Sequence, residues 1–199
     1  MLSPVQQYMK RFFDFILSVI GLFMTWWIIL LAWIIASIDT KSNGLFMQKR
    51  IGKGGNSFFV LKIKTMRSLN GLTSTVTTMN DKRITTSGVF FRRTKIDELP
   101  QLINVLFGTM SFVGPRPDVP GFADLLQGKE RAILKLLPGI TGPASLKYKE
   151  EETLLAKQKD PENYNQYVIW PDKVKINLEY MQTWSLQKDI IYILKTVIG

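Results

Sequence analysis

Two adjacent carboxylates, Asp97 and Glu98, stand among Arg92, Arg93, Lys95 and Arg116 in the run RRTKIDELPQLINVLFGTMSFVGPRP of this 199-residue chain. Cations on both sides favour the ionised form of such a pair, which suits it to hold a divalent metal or to attack a phosphorus centre. The same two residues also fit the opening of a helix, where they would complement its dipole. On the local pattern alone both readings stand. Lys62 and Lys64 alternate with Ile63 among strand-forming residues, so they share one strand face and either reach a phosphate or lie in solvent. Arg116 lies between Pro115 and Pro117, whose rings restrict the backbone and suit the guanidinium to clamp a phosphate or carboxylate; a rigid turn carrying a surface arginine fits the same pattern.

Composition narrows the chemistry. The chain has no Cys and no His, which excludes thiol nucleophiles, imidazole bases, the usual zinc sites and disulfides. A net charge of +10 calls for an anionic partner, whether nucleic acid, phospholipid surface or phosphorylated substrate. The length fits one domain with a real core.

The elements that must position these groups begin with a membrane segment. Residues 15–38 read FILSVIGLFMTWWIILLAWIIASI, without a charge and long enough to cross a bilayer as a helix. Lys10 and Arg11 precede it, and Lys41, Lys49, Arg50, Lys53, Lys62 and Lys64 follow, so both flanks prefer the cytoplasmic side. A re-entrant helix-break-helix satisfies that preference twice, whereas a plain span satisfies it once. Gly21 and Met24-Thr25-Trp26-Trp27 are the candidates for the break.

Residues 45–66 predict a β-hairpin around the turn Gly52-Lys53-Gly54-Gly55-Asn56, which lacks the spacing of a Walker loop. Residues 68–88, rich in Thr and Ser, predict a loop beside the site. Helices are expected over 95–107, stopped by Gly108, and over 122–137; PGITGP reads as a rigid loop. KYKEEE reads as a solvated helix face, and Tyr164, Tyr167, Trp170 and Pro171 beside Lys173 and Lys175 as interfacial anchoring. Residues 178–198 are amphipathic and helical in pattern. The fold class is therefore α+β: a mainly helical membrane-associated domain with an N-terminal re-entrant or spanning helix, a small β-hairpin and amphipathic interfacial helices. Residues 1–40 form the membrane segment and 41–199 one integrated cytoplasmic domain.

Four motifs in order, KRFFDFILSVIGLF, KIKTM, the run from Arg92 to Pro117 and PGITG, resemble the bacterial sugar transferase family over nearly the whole chain. These are small monotopic phosphoglycosyl transferases of the bacterial inner membrane, acting at its cytoplasmic face in the first membrane step of surface glycan assembly, including exopolysaccharide and lipopolysaccharide. The resemblance implies transfer of a phospho-sugar from a UDP-sugar to polyprenyl (undecaprenyl) phosphate, with release of UMP. It implies Asp97 as the nucleophile that forms an acyl phospho-sugar, Glu98 as its partner, and Mg2+ held by Asp97 against the diphosphate. It places phosphate-binding roles on Lys62, Arg92 and Arg116.

Two segments depart from the family's pattern. Trp26 and Trp27 stand where members commonly carry Ser-Pro, and Pro143-Ala144-Ser145-Leu146-Lys147-Tyr148 follows PGITG where many carry Trp-Gln or Ala-Gln and then Gly-Arg. The second bears on sugar or nucleotide recognition. The expected partners are a UDP-sugar, polyprenyl phosphate and membrane lipid rather than nucleic acid, with a homo-oligomer left open. The competing reading is a non-catalytic basic membrane-surface scaffold.

Overall fold

Ser3 starts the first helix with a reciprocal cap: its hydroxyl accepts from the Gln6 amide at 3.2 Å, and the Gln6 side chain accepts from the Ser3 amide at 2.8 Å. With Pro4 in its first turn, α1 then runs Pro4–Thr40. Its 37 residues extend about 55 Å at 1.5 Å per residue. The computed structural model describes residues 2–67 and 83–198 of the chain.

One stripe of α1 is buried: Lys10, Asp14, Ser18, Ala32, Ala36 and Thr40, spaced so that they share a helix face. Gly21 lies on the same side, where a Cβ would meet the Leu102 side chain at 3.2 Å. The opposite side exposes Phe15, Ile20, Phe23, Trp26, Leu31 and Ile35, among others. So large an apolar surface faces hydrocarbon rather than water. The expected break is absent, since α1 is one helix through Gly21 and Trp27. No proline interrupts it, the Thr25 hydroxyl folds back onto the Gly21 carbonyl at 2.7 Å, and Gly21 serves close packing instead.

The hairpin forms as expected: β1 (Leu45–Ile51) pairs antiparallel with β2 (Ser57–Ile63), joined by a 3₁₀ turn Lys53–Gly55. A helix α2, Thr86–Thr94, then a 3₁₀ turn Ile96–Glu98 and α3, Gln101–Leu106, carry the acidic pair. The predicted helix over 95–107 is thus split, because Lys95 takes a left-handed φ of 59° and Pro100 can donate no amide. Of the predicted loop over 68–88, residues 68–82 lie outside the described residues; Thr85 caps α2, and Thr86 to Gly88 are its first turn.

A parallel pair follows, β3 (Ser111–Val113) with β4 (Gly139–Thr141), so PGITG is strand where a loop was expected. Gly114, Gly139 and Gly142 meet backbone to backbone beside this pair, leaving no room for a Cβ. The helix expected over 122–137 is two 3₁₀ turns, Ala123–Leu125 and Glu130–Lys135, separated by extended Leu126 and by Gly128 at a φ of +54°. Short helices α4 (Pro143–Lys147), α5 (Glu151–Ala156) and α6 (Pro161–Tyr164) and a π turn Asn165–Ile169 lead into α7 (Trp170–Gln182) and α8 (Leu186–Ile198). The KYKEEE face is tied down rather than free, with Lys147 to Asp172 and Lys173 to Glu151 each at 2.6 Å. The observed class is α+β.

The membrane helix belongs to the core. Ala32 and Ala36 pack with Ile63 of β2 and Phe91 of α2. Near the other end of α1, Lys10 and Asp189 of α8 form a buried ion pair at 2.5 Å. Asp189 also accepts from the Tyr180 hydroxyl at 2.6 Å and the Trp184 indole at 3.0 Å. Burial, followed by the Asp189 charge, pushes the Tyr180 phenol far above its ordinary pKa, so it remains a donor.

Candidate active site

Asn104 aligns the two elements that carry the site. Its side chain, 6 % exposed, accepts from the Leu61 amide at 3.0 Å and donates to the Phe59 carbonyl at 2.8 Å, which locks α3 to β2. Arg11 reaches from α1 to the far end of α3 and donates to the Val105 and Leu106 carbonyls at 2.5 and 2.6 Å. These otherwise unpaired carbonyls at a helix C-terminus are natural acceptors for a cation. The membrane helix, the hairpin and the acidic turn are therefore held in one frame.

Within that frame Lys62 of β2 meets Glu98 at 3.2 Å, and Arg116 meets the same Glu98 oxygen at 3.5 Å. Burial opposes its ionisation, but Lys62 and then Arg116 overcome this and hold the Glu98 carboxyl at a pKa of about 2. Lys62 is shifted down by burial, with Glu98 opposing that shift. Asp97 behaves differently. It is 8 % exposed, its Oδ1 has no hydrogen-bond partner, and burial followed by the neighbouring Glu98 charge raises its pKa against Lys62, Lys95 and Arg92. The pair expected to ionise alike is thus divided. Glu98 absorbs the nearby cations, and Asp97 keeps an oxygen free and more basic.

The remaining expected residues fall around this pair. The Arg92 Nε donates to the Thr65 hydroxyl at 2.9 Å, on the same side as Asp97. Arg116 is held through its backbone neighbours: Gly114 donates to Thr141 O at 2.9 Å, Gly139 to Pro115 O at 2.8 Å, and Ile51 to Asp118 O at 2.9 Å. Lys62, Arg92, Asp97, Glu98 and Arg116 are brought together, while Lys64 turns away to Ser42 at 2.7 Å. Thr65 and Asn104 escaped sequence reasoning. KIKTM contained the threonine, but nothing in the order of residues marked Asn104 as the clamp between α3 and β2.

Asp118, beside Arg116, is pushed up to about 6 by burial, against the pull of Lys173, Arg50 and Arg116. A carboxyl whose folded pKa exceeds its unfolded value near 3.8 binds its proton more tightly when folded. Its ionisation therefore costs stability, and the cost builds between those two values and stays above them. Asp118→Asn is expected to raise the thermal midpoint in detergent at pH 8, with the gain shrinking below pH 6 and gone near pH 3.5. A gain independent of pH would rule out this cause.

Two acceptor-only carboxylates with one unpartnered oxygen fit a small hard cation, provided substrate phosphates complete its shell. Among the described residues no group of three or more Asp or Glu could hold a metal by itself. Asp97 is the residue that would bind one. A buried carboxylate with an unpartnered oxygen, a neighbour matched by Lys62 and Arg116, and an arginine on a fixed backbone are groups suited to phosphate chemistry.

A family model described as bacterial sugar transferase matches residues 5–199. A UDP-glucose:undecaprenyl-phosphate glucose-1-phosphate transferase of Xanthomonas campestris pv. campestris is 34 % identical, covering 95 % of this chain and 38 % of its own length. A protein of the same name from Escherichia coli K12 is 33 % identical over 98 % of this chain and 41 % of its own. The exopolysaccharide production protein ExoY of Rhizobium meliloti is 27 % identical over 98 % of this chain and 86 % of its own. This chain belongs to the bacterial sugar transferase family. It spans about two fifths of the length of the first two relatives.

Proposed function

We propose that this chain is a polyprenyl-phosphate phosphoglycosyl transferase that moves a sugar 1-phosphate from a UDP-sugar to undecaprenyl phosphate. The observation that carries this reading is the unpartnered, buried Asp97 Oδ1 beside a Glu98 already matched by Lys62 and Arg116. The names of the relatives supply the substrates. Asp97 attacks the sugar-bearing phosphorus; an Asp97–phosphorus bond forms, the bond to the bridging oxygen breaks, and UMP leaves as an anion. Undecaprenyl phosphate then attacks the same phosphorus, the bond to Asp97 breaks, and the carboxylate is restored. Lys62 and Arg116 hold the diphosphate oxygens in both steps, and Arg92 supplies a third cation. Asp97 would hold Mg2+, which would supply positive charge against the repulsion between the carboxylate and the substrate phosphates. The test is release of UMP from a panel of UDP-sugars by the purified protein with Mg2+ and undecaprenyl phosphate. No release with any of them would remove the reading.

We place the protein on the cytoplasmic face of a bacterial inner membrane. Supporting this, α1 is packed on the body from Lys10 to Thr40, so a perpendicular crossing of a hydrocarbon layer of about 30 Å would drag charged surface into lipid. The helix instead lies shallow, with the body at one face. The chain has no cysteine, so single probes are clean. Gln7→Cys and Lys53→Cys are both expected to resist an impermeant reagent on intact cells and to react after lysis. Labelling of Gln7→Cys alone on intact cells would show a true span.

A further inference from the structure

Helix α8 buries only one side. Leu186, Tyr192 and Ile193 pack on the cluster of Val113, Leu136, Tyr180, Met181 and Trp184, and the Thr196 hydroxyl lies 2.6 Å from that of Thr141 on β4. The opposite side carries Ile190, Ile191, Leu194, Val197 and Ile198, between 40 % and 82 % exposed and spaced as a single helical stripe. Of the aromatic residues expected to anchor at an interface, Trp170 packs inward instead, edge-on to Phe122 at 5.7 Å and against the cluster of Ile51 and Val174.

Beside the stripe, α8 and the end of α4 form an open groove of about 630 Å³, in the size range of clefts that hold small ligands. Leu146, Ile191, Leu194 and Ile198 wall it. Lys147, Lys149 and Lys195 also line it, with no carboxylate among the described residues. Lys147 is shared with Asp172 at 2.6 Å, which makes Lys195, on α8 itself, the cation to test.

An exposed apolar stripe rimmed by charge marks a surface that something covers. A second copy of the chain is a poor occupant, because a symmetric contact would set these three lysines against three more. The bilayer fits better. Lys10 of α1 and Asp189 of α8 join the two helices, and around Lys10 the exposed Tyr8, Met9 and Phe12 belong to the apolar surface of α1 that faces hydrocarbon. The α8 stripe extends that surface, and lysines beside an apolar groove complement a lipid with acyl chains and a negative head. We propose that the groove between α4 and α8 binds an anionic phospholipid, an acyl chain lying against Leu146, Ile191 and Leu194 with the head phosphate at Lys149 and Lys195. This rests on the membrane placement proposed above and goes beyond it, since it makes α8 a second point of attachment with a charge preference, apart from the acceptor lipid at Asp97.

The chain has no cysteine, so a single probe reports one position. The full chain with a bimane at Val197→Cys, or at Phe23→Cys on α1 as a control, is reconstituted into phosphatidylcholine vesicles. These hold a small fraction of nitroxide-labelled phosphatidylglycerol or nitroxide-labelled phosphatidylcholine. Both probes are expected to be quenched. At Val197 the labelled phosphatidylglycerol should act at about fivefold lower mole fraction than the labelled phosphatidylcholine, the effect of roughly one lysine near an anionic head. Lys195→Gln should remove that preference and leave the thermal midpoint unchanged, because the side chain is exposed.

Quenching at Phe23 but not at Val197, or equal quenching of Val197 by the two lipids, overturns the site and leaves the membrane placement standing. Quenching at neither position removes both. A preference that persists in Lys195→Gln also overturns the site. If undecaprenyl phosphate, at amounts well below the labelled lipid, abolishes the preference, the groove belongs to the acceptor and the phospholipid assignment fails. None of these outcomes depends on turnover, so the transferase reading stands or falls separately.

Discussion

Asp97→Asn is expected to fold normally and to release no UMP above background. Loss of a nucleophile from a concerted site costs about 10⁴-fold or more in turnover. The amide is nearly isosteric, and the pKa of Asp97 is raised by burial and by Glu98, so its charged form opposes folding at neutral pH. Removing that charge should leave the thermal midpoint unchanged or higher, which separates lost chemistry from lost structure. In the wild type, a UDP-sugar labelled on its sugar and mixed without undecaprenyl phosphate should leave label on the protein and free UMP, and the label should leave when undecaprenyl phosphate is added. Full turnover by Asp97→Asn would exclude this residue as nucleophile. Turnover in the wild type with no trapped label would favour direct transfer between the two substrates, with the acidic pair serving only the metal. Both assays use the same preparation, so the outcomes can be compared directly.

Asp189→Ala is expected to lower stability by about 3–5 kcal/mol, the usual consequence of removing one partner from a buried ion pair. The deletion strands three donors at once: the Lys10 ammonium at 2.5 Å, the Tyr180 hydroxyl at 2.6 Å and the Trp184 indole at 3.0 Å. Tyr180 keeps a longer bond to the Val113 carbonyl at 3.3 Å, which spares part of the loss. The effect should concentrate where α1 meets α8, so limited proteolysis should cut near residue 185 sooner than in the wild type. Combining Asp189→Leu with Lys10→Met removes both charges, and it should recover part of the loss because an apolar pair carries no desolvation cost. Stability changes that simply add in the double variant would show that Lys10 and Asp189 are not coupled. Turnover per folded molecule should stay close to wild type, since none of these groups is among the residues around Asp97.

Much of the acidic site was legible because its chemistry lies in short motifs. KIKTM carried Lys62, the IDELP run carried Asp97 and Glu98, and paired prolines marked Arg116. Each motif proposes a group without stating its neighbours. The divergence of Asp97 from Glu98 could not be read, because it depends on which carboxylate Lys62 and Arg116 reach through space. Asn104 was silent for the same reason: a polar residue in a helix is ordinary until its partners are seen. Local preference misled where tertiary contacts prevailed. Thr86 to Gly88 read as loop by composition, yet Thr85 caps a helix there and Gly88 packs against the Thr65 backbone. Residues 122–137 had a helical pattern, but they fold as two 3₁₀ turns over the core of Ile51 and Val174.

By itself the sequence determined the class of fold, the apolar helix, the hairpin, the exclusion of thiol and imidazole chemistry and the residues of the acidic site. Composition, periodicity and turn chemistry act over a few residues, and a linear reading reaches that far. Tertiary structure alone decided that α1 is one unbroken helix laid along the body, and that Glu98 takes the cations while Asp97 keeps a free oxygen. Those outcomes depend on charges and donors distant in the chain meeting at low dielectric, where a separation of 3 Å decides which group is neutralised and which remains reactive.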